Sequence, residues 1–369
     1  MMSGMKHSIR TVFIMLLLPY YAFSMSLAEK YPSYEYVFTE FGIDEAYIFD
    51  VDFEKFVLHN EKKIKLFYER SMKRGDALLP VIRENLMDDG LSDLFVYISM
   101  VESGFSPGIV SPKKAVGLWQ FMPATAKHYN LSVCNSFDER CDPVSSTSAA
   151  IAYLSKLHKQ FGKWYLAVMA YNCGEGRLEK AIKKANSNEL DILIDNDAKY
   201  LPLETREYIK KILLVAMIGE SEILDFESRS SMDSNSIMQV EVYAGTKLNQ
   251  LAKRIGMKAS TLLNLNKQFK KGLVPREKKL YNIMIPEDKM VDFYMKYEFQ
   301  EERKTIKPHL LSHYVKLGET LQTIAKQYHT TSEEIKTVNR LDDDMLELEK
   351  LLLIPISEVL FEEMLNNQE

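Results

Sequence analysis

The sequence has 369 residues, which exceeds the length of one ordinary domain and favours two or three. Apolar residues make up 46% of it and charged residues 27%, so there is enough material for a folded core and wholesale disorder is excluded. The formal net charge of −5 gives no reason to expect a nucleic-acid partner.

The N-terminus has the pattern of a secretory signal peptide. Lys6 and Arg10 form a positive region that leads into an apolar stretch over residues 11–22, too short to span a bilayer. We predict a signal peptide over residues 1–24, cleaved at its end or after Ala28, and export to the periplasm. The alternative is an uncleaved membrane anchor. No cysteine lies near either cut, so we expect no lipid anchor.

Residues 25–225 carry the apolar spacing of amphipathic helices, as at Phe53, Phe56 and Val57. A later run of this kind ends at Glu102, where the nearby Gly104 supplies a natural helix stop. We therefore predict that Glu102 lies in the last turn of an apolar helix.

Three further helix starts follow along the chain. Pro123 suits a first helical turn, Ser145 or Ser146 can cap the next helix, and a last strong helix begins near Glu204. The region is therefore expected to be almost wholly helical.

The character of the sequence changes at about residue 236, where an internal repeat begins. At a constant offset of 73, Gly245 matches Gly318 and Asn266 matches Asn339. Each copy starts with alternating apolar residues, continues with two short helical stretches and closes on Ile-Pro. We predict the order strand, helix, helix, strand for both copies.

Glu102 is a candidate general acid on physical grounds. A carboxyl held at the end of an apolar helix loses water, which disfavours its charged form and raises its pKa. A raised pKa keeps a proton available for donation near neutral pH. A Glu-Ser pair at a helix end is, by itself, more often a solvated or capping feature.

Ordered sequence blocks strengthen this interpretation, because the chain resembles the goose-lysozyme-like family of lytic transglycosylases. The blocks, in family order, are Glu102-Ser103, Gly117-Leu118-Trp119-Gln120, Ala170-Tyr171-Asn172-Cys173-Gly174 and Glu204-Thr205-Arg206-Glu207-Tyr208. The resemblance implies a mainly α fold, with a helical catalytic domain over residues 81–225 behind an N-terminal helical segment over residues 25–80. Two small α+β modules would follow.

The repeats resemble LysM modules, which are βααβ units that bind glycans containing N-acetylglucosamine. The copy over residues 312–357 keeps the family pattern. The copy over residues 238–287 is degenerate, with Lys247 where the family prefers Thr and a longer run before its closing Ile-Pro. Residues 288–311 are predicted to be a helical or loosely ordered linker. We expect the repeats to raise affinity for glycan separately from the catalytic centre.

The family resemblance implies a chemistry for Glu102. It would protonate the oxygen between N-acetylmuramic acid and N-acetylglucosamine, then accept the proton of the muramic C6 hydroxyl as a 1,6-anhydro ring closes. Tyr171 would hydrogen-bond near Glu102, and Gln120 with the Gly117 turn would line the sugar cleft. The full set of expected substrate-binding residues is Ser103, Gly117, Leu118, Trp119, Gln120, Tyr171, Asn172, Glu204 and Tyr208.

Three of these residues have simpler interpretations. Tyr171 can be a core tyrosine with a satisfied hydroxyl, and Glu204 can serve only as a helix-capping carboxylate. We favour a core position for Trp119 over a stacking platform.

The cysteines are read as structural, and no metal site is expected. Cys134 and Cys141 bracket a polar loop, and we predict a disulfide between them in an oxidising compartment. Cys173 is expected to be a buried thiol. The histidines are scattered and no metal-binding spacing occurs, so we expect no metal and no cofactor.

Two rival functions remain open at this point. One is a lysozyme-like hydrolase on the same fold, with Asp142 or Glu175 as a second carboxylate. The other is a non-catalytic peptidoglycan-binding protein. In each case the expected partner is the peptidoglycan glycan strand and not a nucleic acid, and cell-wall synthesis or division proteins are further candidates.

Overall fold

The computed structural model describes residues 25–224, 236–297, 309–356 and 360–361. The predicted signal peptide, residues 1–24, lies outside the described residues. Within the described ranges, no helix combines the length and the apolar character needed to cross a membrane.

Residues 25–224 form a helical domain. Its α-helices are α1 (Leu27–Lys30), α2 (Tyr34–Glu40), α3 (Val51–Gly75), α4 (Leu79–Asp88), α5 (Val96–Ser103), α6 (Pro123–His128), α7 (Pro143–Phe161), α8 (Trp164–Cys173), α9 (Glu175–Ala185), α10 (Leu190–Leu193) and α11 (Leu203–Leu224). The expectation of an almost wholly helical region is confirmed.

The N-terminal helices and the catalytic region share one hydrophobic core. Phe38 and Phe53, from the N-terminal segment, lie in the same buried cluster as Ile82, Ile98 and Ile212. Each such side chain, fully buried, contributes about 1.5–3 kcal/mol to folding. The predicted boundary at residue 80 therefore does not separate two cores.

The start of α7 differs from the sequence-based expectation. Asp142, and not Ser145 or Ser146, is the capping residue, and one of its carboxylate oxygens accepts the N–H of Ser145 at 2.7 Å. The reason is Pro143, whose fixed φ suits the first helical position and places the cap one residue earlier.

Both repeats have the predicted order of elements. The first repeat contains β1 (Ile237–Tyr243), α12 (Leu248–Arg254), α13 (Ala259–Leu265), β2 (Leu280–Pro286) and an additional helix, α14 (Met290–Lys296). The second repeat contains β3 (His309–Tyr314), α15 (Leu321–Gln327), α16 (Ser332–Asn339) and β4 (Leu351–Ile356). In each repeat the two strands pair antiparallel.

The matched asparagines explain why the repeat is visible in the sequence. Asn266 donates to the carbonyls of Leu262 and Met284 at 2.9 and 2.7 Å and accepts the Met284 N–H at 2.7 Å. Asn339 makes the same three bonds to Ile335 and Leu353. An amide side chain can join the second helix to the closing strand in this way because it both donates and accepts.

The predicted linker is shorter than expected. Phe293 and Tyr297 of the α14 region pack in the core of the first repeat, and β3 begins at His309, ahead of the expected module start at residue 312. The helical alternative predicted for this segment holds for Met290–Lys296, but the helix packs on the first repeat and is not a free linker.

Candidate active site

Glu102 lies in the last turn of α5, as predicted. The helix ends at Gly104, whose φ of 57° is left-handed and whose N–H donates to the carbonyl of Met100 at 2.7 Å. Arg74 of α3 donates from Nε to the Gly104 carbonyl at 2.8 Å. The end of the helix that carries Glu102 is thus held by the neighbouring long helix.

The surroundings of Glu102 favour its protonated form. Burial raises the pKa of Glu102 to about 7, and the charge of Glu204 adds to this effect. A hydrogen bond from Tyr208 and the charge of Lys211 oppose the rise without cancelling it. Near neutral pH the carboxyl can therefore both give up and accept a proton.

Tyr208 of α11 is the direct partner of Glu102. Its hydroxyl donates to Glu102 Oε1 at 2.5 Å. Burial raises the pKa of Tyr208 well above its usual range, and the charge of Glu102 adds to the rise, so the phenol remains a donor. From the sequence, Tyr208 was expected to be a substrate-binding residue, and its bond to Glu102 was not predicted.

Tyr171 of α8 bonds differently from expectation. Its hydroxyl donates to the backbone carbonyl of Trp119 at 2.6 Å and not to the Glu102 carboxylate. Burial raises the pKa of Tyr171 well above its usual range, and the charge of Glu102 adds to the rise. Tyr171 therefore joins the Glu102 region to the turn that contains Trp119.

That turn, residues 117–120, is called here the Gln120 turn. Gly117 adopts φ of 91°, and a Cβ at this position would lie 1.7 Å from the carbonyl oxygen of Arg140. Gln120 also has a positive φ, 50°, and its Nε2 donates to the Gly117 carbonyl at 2.9 Å. Only glycine fits the first position, for both reasons.

The two middle residues of the Gln120 turn point into the core. Leu118 and Trp119 are fully buried, and Trp119 Nε1 donates to Thr147 Oγ1 at 2.9 Å. The interpretation of Trp119 as a core residue is confirmed. Leu118 and Trp119 were expected among the substrate-binding residues; because both side chains are buried, only their main-chain atoms remain candidates for that role.

Arg140 supports the Gln120 turn from behind. Its guanidinium forms a buried ion pair with Asp138, with Nη2 2.9 Å from Oδ2. From Nη1 it donates to the carbonyls of Lys114 and Phe121 at 3.2 and 3.1 Å. Sequence reasoning missed Arg140, although an arginine and an aspartate two residues apart in a loop were an available signal.

The remaining predicted residues occupy supporting positions. Ser103 was expected to bind substrate. It is buried, and its hydroxyl instead donates to the Ser99 carbonyl at 3.1 Å. Asn172 accepts from Thr205 Oγ1 at 2.8 Å, which links α8 to α11. Glu204 is exposed in the first turn of α11. Its part at the site is electrostatic, since its charge adds to the rise in the pKa of Glu102.

The two carboxylates considered as second catalytic groups are engaged elsewhere. Asp142 is buried at the start of α7, where it accepts from Ser145 and from Gln268 Nε2 at 3.0 Å. Glu175 pairs with Lys156 at 2.5 Å.

The predicted disulfide is not formed. Cys134, Cys141 and Cys173 are all free. Cys134 is exposed and its Sγ contacts the carbonyl of Phe137 at 3.1 Å, whereas Cys141 is buried on the 3-10 turn Glu139–Cys141. The two thiols therefore lie in different environments, and burial raises the pKa of Cys141 to about 12. Among the described residues, no group of three or more His, Cys, Asp or Glu side chains could hold a metal ion.

Comparison with known protein families shows which domains the chain carries. The transglycosylase SLT domain matches residues 80–194, the LysM-like domain of lytic transglycosylase MltD matches residues 236–300, and the LysM domain matches residues 313–355. The chain therefore carries a transglycosylase SLT domain followed by an MltD-type LysM-like domain and a LysM domain.

Two curated relatives show which lytic transglycosylases the chain is similar to. The chain is homologous to membrane-bound lytic murein transglycosylase D of Escherichia coli (strain K12), with 29% identity over 259 residues. The match covers 67% of this chain and 56% of that protein, so the chain spans little more than half the length of this relative. The soluble lytic murein transglycosylase of the same organism is 30% identical over 122 residues, 31% of this chain and 18% of that protein.

Solved structures give weaker matches. Lytic transglycosylase Slt of Pseudomonas aeruginosa has a TM-score of 0.33 at 26% identity and covers 39% of this chain and 24% of its own. The 70 kDa soluble lytic transglycosylase of Escherichia coli has a TM-score of 0.34 at 21% identity, with 42% and 26% covered.

Proposed function

We propose that the chain is a peptidoglycan lytic transglycosylase with Glu102 as its acid and base. The observation that carries the proposal is Glu102, a half-buried carboxyl with a pKa of about 7 that lies within the SLT match and accepts a hydrogen bond from the Tyr208 hydroxyl. The match to lytic murein transglycosylase D supports the substrate class.

The chemistry needs one carboxyl because the nucleophile belongs to the substrate. Protonated Glu102 donates to the oxygen that joins N-acetylmuramic acid to N-acetylglucosamine, and the bond from that oxygen to muramic C1 breaks. The resulting carboxylate takes the proton of the muramic C6 hydroxyl, whose oxygen bonds to C1 and closes the 1,6-anhydro ring. Glu102 ends in its starting form.

Tyr208 and Tyr171 have separate supporting roles in this proposal. Tyr208 orients the Glu102 carboxyl through its hydroxyl and stabilises the carboxylate between the two proton transfers. Tyr171 fixes the Trp119 carbonyl, and with it the Gln120 turn that would border the sugar.

A hydrolase on the same fold would need a group to activate water. In inverting glycosidases a second carboxylate, about 6.5–9.5 Å from the acid, activates the water, and in retaining glycosidases a second carboxylate, about 5–5.5 Å away, acts as the nucleophile. Asp142 caps a helix and Glu175 is paired with Lys156, so their contacts favour the transglycosylase over the hydrolase.

The test is product analysis on purified sacculi. Wild-type protein should release muropeptides with 1,6-anhydro ends, and Glu102→Gln should release none while remaining folded. Glu207→Gln is the matched control, because Glu207 is exposed on the same helix as Tyr208. Reducing ends would establish the hydrolase, and a lack of cleavage by folded wild-type protein would leave only glycan binding.

The repeats and the location complete the proposal. The second repeat keeps the LysM pattern and would bind glycan containing N-acetylglucosamine, while the first repeat is the weaker candidate. We place the enzyme in the periplasm on the strength of the residue 1–24 pattern, and cell fractionation of a tagged full-length chain tests this.

A further inference from the structure

The first repeat is joined to the helical domain by the loop between α13 and β2. We call residues 267–279 the docking loop and residues 132–142 of the helical domain the receiving segment. Phe137 of the receiving segment lies in the core of the repeat, stacked on Phe269 with ring centroids 5.2 Å apart and edge-on to Tyr281 at 5.3 Å. A side chain of one domain thus completes the core of the other.

Main-chain hydrogen bonds fix the register of this contact. The N–H of Asp138 donates to the Gln268 carbonyl at 3.0 Å, and the N–H of Lys270 donates to the Ser136 carbonyl at 3.1 Å. The docking loop and the receiving segment therefore form a short antiparallel bridge, which holds the two segments in one defined register.

Polar side chains of the docking loop reinforce the bridge. Gln268 is 1% exposed and donates from Nε2 to Asp142 Oδ2 at 3.0 Å, while the other oxygen of Asp142 caps α7. Lys270 Nζ lies 3.3 Å from Asp138 Oδ2, on the carboxylate that also binds Arg140. The Gln268–Asp142 contact is buried and therefore costly to leave half-made, so it favours a single docked geometry, whereas the partly exposed Lys270 ammonium adds less.

The receiving segment also contacts the candidate active site. Arg140, held by Asp138, donates to the Phe121 carbonyl, and its own carbonyl packs against Gly117. The Gln120 turn is therefore built on the segment to which the first repeat is docked.

From this chain of contacts we infer that the first repeat is a structural part of the catalytic unit, and that Gln268 and Lys270 are positioning residues for glycan cleavage. They act through Asp142, Asp138 and Arg140 on the Gln120 turn. The inference rests on the proposed function. It also explains the degeneracy of the first repeat, because the longer run that sets it apart from the second repeat is the docking loop.

The test measures kcat and KM on a soluble glycan fragment, with the full-length chain. Gln268→Glu places a second buried carboxylate against Asp142 and should lower kcat by about 10- to 100-fold, the range expected when a catalytic constellation is displaced by about 1 Å. KM should change less, because no contact with substrate is removed.

An exchange of partners provides the rescue. In Asp142→Asn combined with Gln268→Glu, the Asn amide can donate to the Glu carboxylate, and asparagine also caps helices well. Most of the lost kcat should return. Recovery would exclude general unfolding as the cause in the single variant, and a double variant as slow as Gln268→Glu would count against the mechanism.

Substitution of two adjacent lysines, Lys270 and Lys271, tests the docking contact with a smaller perturbation. Lys270→Met removes the ion pair with Asp138 and should lower kcat several-fold, whereas Lys271→Met, an exposed neighbour, should leave it unchanged. If kcat stays at the wild-type value in both Gln268→Glu and Lys270→Met, the repeat is only a tether and the inference is overturned. Wild-type protein without cleavage activity would instead overturn the proposed function itself.

Discussion

At the scale of single residues, the candidate site depends on the balance of effects at Glu102. Burial favours the neutral acid, while Tyr208 and Lys211 favour the carboxylate. The resulting pKa of about 7 suits a group that must donate a proton and then accept one. Removing one contributor should therefore shift the pH dependence in a defined direction.

Tyr208→Phe should move the alkaline limb of the pH–rate profile to higher pH. The lost hydrogen bond had stabilised the carboxylate, so the pKa of Glu102 rises and the acid stays protonated further into the alkaline range. Tyr171→Phe is the control. The Tyr171 hydroxyl donates to the Trp119 carbonyl and not to Glu102, so the alkaline limb of this variant should stay in place. A limb that moves to lower pH in Tyr208→Phe would contradict this account.

Glu102→Gln should stabilise the protein more at pH 8 than at pH 4, each compared with wild type at the same pH. A folded-state pKa of about 7 against an ordinary value of 4.5 means that the folded state binds the proton more tightly. The contribution of Glu102 to wild-type stability is then greatest below pH 4.5 and is lost as the pH rises through 7. The gain for Gln at pH 8 is up to about 3 kcal/mol, and less where water reaches the carboxyl.

Chemical denaturation at the two pH values measures this difference. Exposed Glu207→Gln should change stability little at either pH. An equal effect of Glu102→Gln at pH 4 and pH 8 would show that Glu102 is not held with a raised pKa.

The position of Glu102 was predictable because it depends on local pattern, an apolar helix followed by Gly104. Its bond to Tyr208 was not, because the two residues are 106 positions apart and helical periodicity says nothing about which helices meet. The same limit explains why Tyr171, and not Tyr208, was assigned the contact with Glu102.

At the scale of elements, the Gln120 turn is the most tightly specified segment. Its backbone is left-handed at Gly117 and at Gln120, and Gly117 touches the main chain of Arg140. Such backbone persists only where its surroundings hold it, as Tyr171 and Arg140 do here.

Gly117→Ala should destabilise the protein by about 3 kcal/mol or more and abolish activity. The added methyl would meet the Arg140 carbonyl at 1.7 Å, and that main chain cannot move without breaking its ion-paired segment. Gly176→Ala, an exposed glycine of α9 with open space around it, should instead be neutral or stabilise by about 0.5–1 kcal/mol. Thermal unfolding of both variants makes the comparison, and similar losses would refute it.

The repeats were predictable as elements because both copies use one local design. Asn266 and Asn339 join helix to strand with identical bonds, and this requirement preserves the residue at a fixed offset. The docking loop was not predictable in the same way. Phe137 was the available signal, since a large aromatic in an otherwise polar loop suggests burial against something the loop itself does not supply.

At the scale of the whole molecule, the first repeat packs against the helical domain, whereas the sequence had led us to expect an affinity device separate from the catalytic centre. Its core includes Phe137, and its docking loop shares main-chain and buried side-chain hydrogen bonds with the receiving segment. The second repeat has its own core and an exposed ion pair, Arg340 with Glu241, to the first. The two repeats are therefore attached to the rest of the chain in different ways.

Truncation should reveal this difference. A chain ending near residue 230 should unfold roughly 5–10 °C below one ending at residue 297, because it loses the burial of Phe137 and the Gln268–Asp142 bond. The chain ending at residue 297 should melt near the temperature of the helical domain in the full-length protein. Calorimetry of the three forms gives the comparison, and equal melting temperatures for the two truncated forms would argue against integration.

The position of Phe137 also has a consequence for how the chain acquires its structure. Asp142 and Gln268 are 126 residues apart, so synthesis delivers the receiving segment long before the loop that covers it. Until then Phe137 is an uncovered aromatic on a nearly finished helical domain, and contacts this distant in sequence form slowly. Partly made chains thus present a surface prone to self-association, and a chaperone that shields residues 132–142 would have most effect in the interval before residue 281 emerges.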